Sequence, residues 1–133
     1  MKPLLLFCVT ITILSLASPL AAESRTALVI GNSDYKTIKS LNNPVNDAVD
    51  MAAALKILGF DVILKKNINK AMMRDAVRTF GDKIKKGGVG LFYYAGHGVQ
   101  MDGVNYIIPI RVDIKRKYDV EDQTLKMNYV LGA

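Results

Sequence analysis

Apolar runs and helix-periodic stretches alternate along this chain. Ala27-Leu28-Val29-Ile30 is a short continuous apolar run closed by Gly31-Asn32, and it reads as a buried strand. Ser33 to Asn42 is polar and loop-like. Asn43-Pro44 then signals a helix start, with Asn as N-cap and Pro at the first helical position. Val45, Ala48, Val49, Ala52, Leu55 and Leu58 follow helical spacing, and Gly59 suits the residue beyond the helix end. Phe60 to Leu64 is a second strand. Asn69 caps a second helix, whose apolar face is Met73, Ala76, Val77, Phe80 and Ile84. Lys83, Lys85 and Lys86 crowd its last turn, where cations suit the helix dipole. Gly87-Gly88 ends it, and Val89 to Tyr94 is a third strand, the most apolar of the three.

Strand-helix-strand-helix-strand spacing predicts parallel strands joined by right-handed crossovers. The runs are continuous rather than alternating, as in strands covered on both faces. The expected fold class is therefore α/β, a three-layer sandwich on a mostly parallel sheet. Further along, Asp102-Gly103 is a hairpin turn signal flanked by Val99-Gln100-Met101 and Tyr106-Ile107-Ile108. Residues 111–123 are charged and loop-like, and Thr124 to Leu131 reads as the start of another helix.

Composition changes this picture mainly at the N-terminus. Lys2, the apolar stretch Leu4 to Leu16 and the exit Ser18-Pro19-Leu20-Ala21-Ala22 have the layout of a secretory signal, with cleavage expected after Ala22. The stretch falls short of the roughly 20 residues a spanning helix needs, so no stable membrane anchor is expected. The predicted organisation is a signal peptide over 1–22 and one domain over 23–133, exported to the periplasm or beyond. Cys8 is the only cysteine and lies in the leader, so the exported domain has no disulfide and must rest on its packed core. The net charge of +6 is scattered over Lys65-Lys66, Lys83 to Lys86 and Lys115 to Lys117. Without an aromatic-interleaved basic stripe or a nucleic-acid motif, a nucleic-acid partner is not expected.

The candidate chemistry sits where the third strand ends. Gly90 to Tyr94 leads into Ala95-Gly96-His97-Gly98, and His97 is the chain's only histidine. A histidine at a strand end between glycines suits a general base aimed into a cleft, though a satisfied core histidine would look similar. Ligands of open doubly wound sheets bind beyond the strand carboxyl ends, where strand order reverses. A spatial order of 2-1-3 would place Gly31-Asn32 and Gly96-His97-Gly98 on one crevice, with Asn46 and Asp47 in the helix turn that returns from the same edge. Gly98 can offer its N–H to a developing oxyanion. Asp47 suits either a charge favoured by the helix dipole or a carboxylate that binds a Lys or Arg side chain. Tyr93-Tyr94 reads as core strand. Gly96 and Gly98 do not open a G-x-G-x-x-G, so a dinucleotide site is not expected, and neither Cys nor G-x-S-x-G follows His97.

Three segments carry a resemblance to a known family. Arg25 to Tyr35 resembles the opening strand of bacterial caspase-like and metacaspase-like cysteine peptidases. Asn43-Pro44-Val45-Asn46-Asp47-Ala48 resembles their Asn-Asp-Ala helix start. Tyr93 to Gln100, with Asn105-Tyr106-Ile107-Ile108-Pro109, resembles their histidine segment and hairpin. The match runs from about Thr26 to Ala133, the N-terminal part of a large catalytic subunit. It implies a caspase-hemoglobinase-like fold, incomplete here, with order 2-1-3 plus a hairpin. It also implies endopeptidase chemistry by a Cys–His dyad. His97 takes the histidine role, Gly98 lends its backbone N–H to the oxyanion hole, and Asp47 helps line a pocket for a basic P1 side chain, with Asn32 on the same crevice. Some metacaspases bind calcium, which makes Asp113, Glu121 and Asp122 candidate ligands, although Arg111 stands where an acid is expected. No other cofactor is implied. The family's nucleophilic Cys follows on a fourth strand, and the sequence ends 36 residues after His97, before such a strand. Beside the peptidase, whose partner is a protein or peptide substrate, stand a non-catalytic peptide-binding module and an inactive gene remnant.

Overall fold

The computed structural model describes residues 23–85 and 87–132. The expected leader over 1–22, with Cys8, lies outside the described residues. Ten elements follow in order: β1 (Arg25–Gly31), α1 (Pro44–Ile57), β2 (Asp61–Lys66), α2 (Lys70–Ile84), β3 (Val89–Ala95), β4 (Gly98–Met101), β5 (Val104–Ile107), α3 (Lys117–Gln123), β6 (Leu125–Lys126) and α4 (Met127–Leu131). No described helix is long and apolar enough to cross a membrane.

The main sheet is parallel, with spatial order β2-β1-β3, as the spacing of the apolar runs predicts. β1 is central and buried from Thr26 through Gly31. Its side chains alternate between two cores, which is why the run is apolar throughout. Ala27 and Val29 face α1 with Leu91 and Tyr93, while Leu28 and Ile30 face α2 with Phe92 and Tyr94. Helix, sheet and helix make the three layers.

α1 buries Pro44, Ala48, Ala52 and Leu55. This stripe is narrower than the spacing suggests, and Val49 and Leu58 stand exposed beside it. Asn43 sits in the N-cap place with helical dihedrals and no capping hydrogen bond. Asn69 does cap α2, its Oδ1 accepting the Met72 N–H at 3.0 Å. Met73, Ala76, Val77 and Phe80 are buried as the period predicts, with Ile84 packed against them.

The hairpin β4–β5 turns at Asp102-Gly103. Both residues have positive φ, 51° and 77°, as a type I′ turn requires. The charged stretch 111–123 departs from the loop reading, because Lys117–Gln123 is helical. Asp119 nucleates that turn by accepting the N–H groups of Lys115 at 2.9 Å and Arg116 at 2.7 Å. Leu125–Lys126 is also not helical. It pairs antiparallel with β5, and the helix begins only at Met127.

Candidate active site

The carboxyl ends of β1 and β3 lie side by side, Gly31 in register with Ala95. The Asn32 N–H extends the ladder to the Ala95 carbonyl at 2.9 Å, and the Asn67 N–H reaches the Gly31 carbonyl at 2.9 Å. α1 starts hard against this edge. A Cβ on Gly31 would lie 2.5 Å from the Pro44 carbonyl oxygen and 2.7 Å from Ala48 Cβ, so only glycine lets the helix approach so closely. The loop between β1 and α1 is folded onto the edge rather than free. Asn67 Oδ1 accepts the N–H groups of Ser33 (2.8 Å) and Asp34 (3.1 Å), and Ser40 Oγ donates to the Tyr35 carbonyl (2.8 Å).

That folded loop brings a backbone carbonyl to the histidine. His97 Nε2 lies 2.7 Å from the Lys39 carbonyl oxygen. A carbonyl can only accept, so Nε2 carries a proton, and when the ring holds just that one its lone pair lies on Nδ1. The Tyr35 ring meets the imidazole edge to face, with centroids 4.7 Å apart.

Gly98 begins β4, the outer strand of the small sheet. Its partner is Ile107, and the bond beside the pair runs from the Ile108 N–H to the His97 carbonyl at 2.9 Å. Gly98–Ile107 is therefore a non-hydrogen-bonded pair, and the Gly98 N–H points away from β5. A donor one residue beyond the histidine is thus left out of the ladder.

The chain matches the Caspase domain family over residues 24–128. It belongs to the caspase-domain peptidases. It is 35% identical over 89 residues to human (Homo sapiens) mucosa-associated lymphoid tissue lymphoma translocation protein 1. It is 34% identical over 89 residues to the mouse (Mus musculus) homolog of that protein. Each match takes in 67% of this chain but only 11% of the relative. The chain therefore spans about a ninth of the length of the curated relatives it matches.

Within this caspase domain, His97 and Gly98 stand together at the end of β3, and Asp47 lies in the first turn of α1 at the same edge. Asp47 is exposed, and among the described residues no hydrogen bond or ion pair engages its carboxylate. Asn32 does not present its amide to solvent. It is wholly buried, its Oδ1 accepting the Ile68 N–H at 3.0 Å and its Nδ2 reaching the carbonyls of Ile68 (3.3 Å) and Ile108 (3.5 Å). It stitches together the chain segments that follow β1, β2 and β5. The three calcium candidates do not converge either. Asp113 pairs with Lys115, Glu121 accepts from Tyr106 and faces Lys126, and Asp122 is exposed. Among the described residues no three His, Cys, Asp or Glu side chains are placed to hold a metal ion. The residues present do not fit calcium, which needs several converging oxygens.

Sequence reasoning missed the Lys39 carbonyl and the hydroxyls of Tyr35 and Tyr94. Tyr94 does pack on the α2 core, as a core-strand reading requires, but its hydroxyl lies beside His97. Burial raises the pKa of the Tyr94 hydroxyl, and the neighbouring Tyr35 hydroxyl adds to the rise. Burial also raises that of Tyr35, partly offset by its contact with Tyr94. Both stay protonated donors. A cavity of about 720 Å³ opens at the opposite, N-terminal edge of the sheet, beside the Lys83–Asp61 ion pair. It lies far from His97, and the strand carboxyl ends are the chemically equipped edge.

Proposed function

We propose that this edge is the histidine half of a cysteine endopeptidase site. The tethered His97 imidazole supports the reading most: a proton held on Nε2 by a backbone carbonyl leaves Nδ1 as the base. The thiol comes from a cysteine outside residues 23–132, on a strand that adds to the open edge of β3. Nδ1 takes the thiol proton, and the thiolate attacks the scissile carbonyl carbon. The Gly98 N–H donates to the resulting oxyanion. As the C–N bond breaks, the imidazolium returns its proton to the leaving amine, and water then hydrolyses the thioester. Asp47, whose carboxylate has no partner among the described residues, binds a Lys or Arg side chain at P1. The N-terminal pattern supports export as the setting.

The test is peptide hydrolysis by the native gene product. Substrates with Arg or Lys at P1 should be cut. Asp47→Ala should lower kcat/KM on them by about 10- to 100-fold, the worth of one charge-assisted contact, while leaving any hydrolysis after neutral residues unchanged. Equal cleavage after acidic and basic residues, unaffected by Asp47→Ala, would refute the assignment. A second reading, a peptide-binding module without chemistry, draws on the absence of cysteine among the described residues. It would gain if basic peptides bound the native product and were never cut.

A further inference from the structure

Two tyrosine hydroxyls interrupt the hairpin ladder beside the histidine. In a regular antiparallel ladder, His97 and Ile108 would exchange two backbone bonds. Only one forms, from the Ile108 N–H to the His97 carbonyl at 2.9 Å. The His97 N–H goes instead to Tyr35 Oη at 3.0 Å. The Ile108 carbonyl, left without its rung, accepts from Tyr35 Oη at 3.0 Å and Tyr94 Oη at 2.7 Å. The hydroxyls lie 3.1 Å apart, and Tyr94 Oη also reaches the His97 carbonyl at 2.9 Å. The pair is thus wedged between a donor and an acceptor that would otherwise meet. Space is closed around it, since a Cβ on Gly96 would fall 2.5 Å from Tyr94 Oη and 2.7 Å from Tyr35 Oη.

We propose that Tyr35 and Tyr94 are positioning residues for His97: their hydroxyls replace one hairpin rung and hold the histidine backbone and ring so that Nε2 meets the Lys39 carbonyl. The importance for catalysis rests on reading His97 as the base. The geometry itself does not. Tyr35 touches the histidine at two points, because its hydroxyl accepts the His97 N–H while its ring packs edge to face with the imidazole. Tyr94 touches it at one, the His97 carbonyl, and also reaches the Ile108 carbonyl.

His97 is the only histidine in the 133-residue sequence, so its ring nitrogens can be read without ambiguity by nuclear magnetic resonance of the full chain. The wild-type ring should be mainly the Nε2–H tautomer. Tyr35→Phe should cut the ratio of Nε2–H to Nδ1–H by about tenfold, as loss of one net hydrogen bond would. Tyr94→Phe, which loses the contact between the two hydroxyls but leaves the Tyr35 bonds to the His97 N–H and the Ile108 carbonyl in place, should cut it by about threefold by the same measure. Val77→Ala removes buried bulk from the α2 core and is the control. It should lower the unfolding midpoint and leave the ratio unchanged. A fall in either tyrosine variant, absent from Val77→Ala, supports the proposal. An unchanged ratio in both folded tyrosine variants, or an equal fall in Val77→Ala, overturns it. A native product that cuts no peptide would sink the peptidase reading and leave this result standing.

Discussion

Removing the Asn32 amide distinguishes a buried tie from a ligand contact. Asn32→Ala strips three interactions, but their losses are unequal. The Ile68 carbonyl still accepts the Ile110 N–H at 3.1 Å, and the Ile108 carbonyl keeps its tyrosine hydroxyls. Only the Ile68 N–H, bonded to Asn32 Oδ1 at 3.0 Å, is left with no partner in a residue 1% exposed. An orphaned buried donor costs about 1–3 kcal/mol, and the emptied volume adds to it, so the expected loss is about 2–3 kcal/mol. For a domain of this size that lowers Tm by roughly 10 °C or more. Urea unfolding followed by far-UV circular dichroism measures it as a fall in midpoint at unchanged slope. Asn32→Asp gives an independent signature. It keeps the acceptor but turns a carboxylate oxygen toward two carbonyls, so its carboxyl is pushed up in the folded state. Its stability should therefore fall as pH rises from the unfolded carboxyl pKa of about 3.9 through the raised folded value, and recover on acidification. An Asn32→Ala variant within about 0.5 kcal/mol of wild type, the range of an ordinary surface change, would refute the buried-tie reasoning.

Two other positions give separate tests. Asp119 is held below the usual carboxylate range, first by the Lys115 N–H and then by the Arg116 N–H and charge, against the opposing effect of burial. Its contribution is present above about pH 3.9 and lost as pH falls through the depressed folded pKa, so Asp119→Asn should flatten the acid limb of stability against pH. Gly31→Ala should destabilise by about 1–3 kcal/mol through overpacking against Pro44 and Ala48, read as a lower urea midpoint.

How much of this was legible in the sequence depended on whether a signal was carried by side-chain pattern. The order β2-β1-β3 was legible because continuous apolar runs separated by helical periods leave few parallel arrangements. The I′ hairpin was legible because Asp-Gly tolerates two positive φ angles. α3 was not, since its turn is nucleated by one carboxylate accepting backbone N–H groups within a stretch dominated by charge. Asn32 misled because an asparagine after a strand looks the same whether its amide faces solvent or ties three buried segments. The calcium candidates misled because proximity in sequence does not make carboxylates converge, and lysines and a tyrosine engage two of them. The tether on His97 had no sequence signal at all, because a backbone carbonyl belongs to every residue. Only the folded loop selects that of Lys39.

The most direct test of the account is the rate at which the native gene product hydrolyses a peptide with Arg at P1, with and without His97. If His97 is the general base, His97→Ala should lower kcat by about 10²–10⁴-fold while the folded circular dichroism spectrum stays unchanged. Hydrolysis undiminished by His97→Ala would contradict the account, and the edge formed by β1 and β3 would then not be the catalytic one.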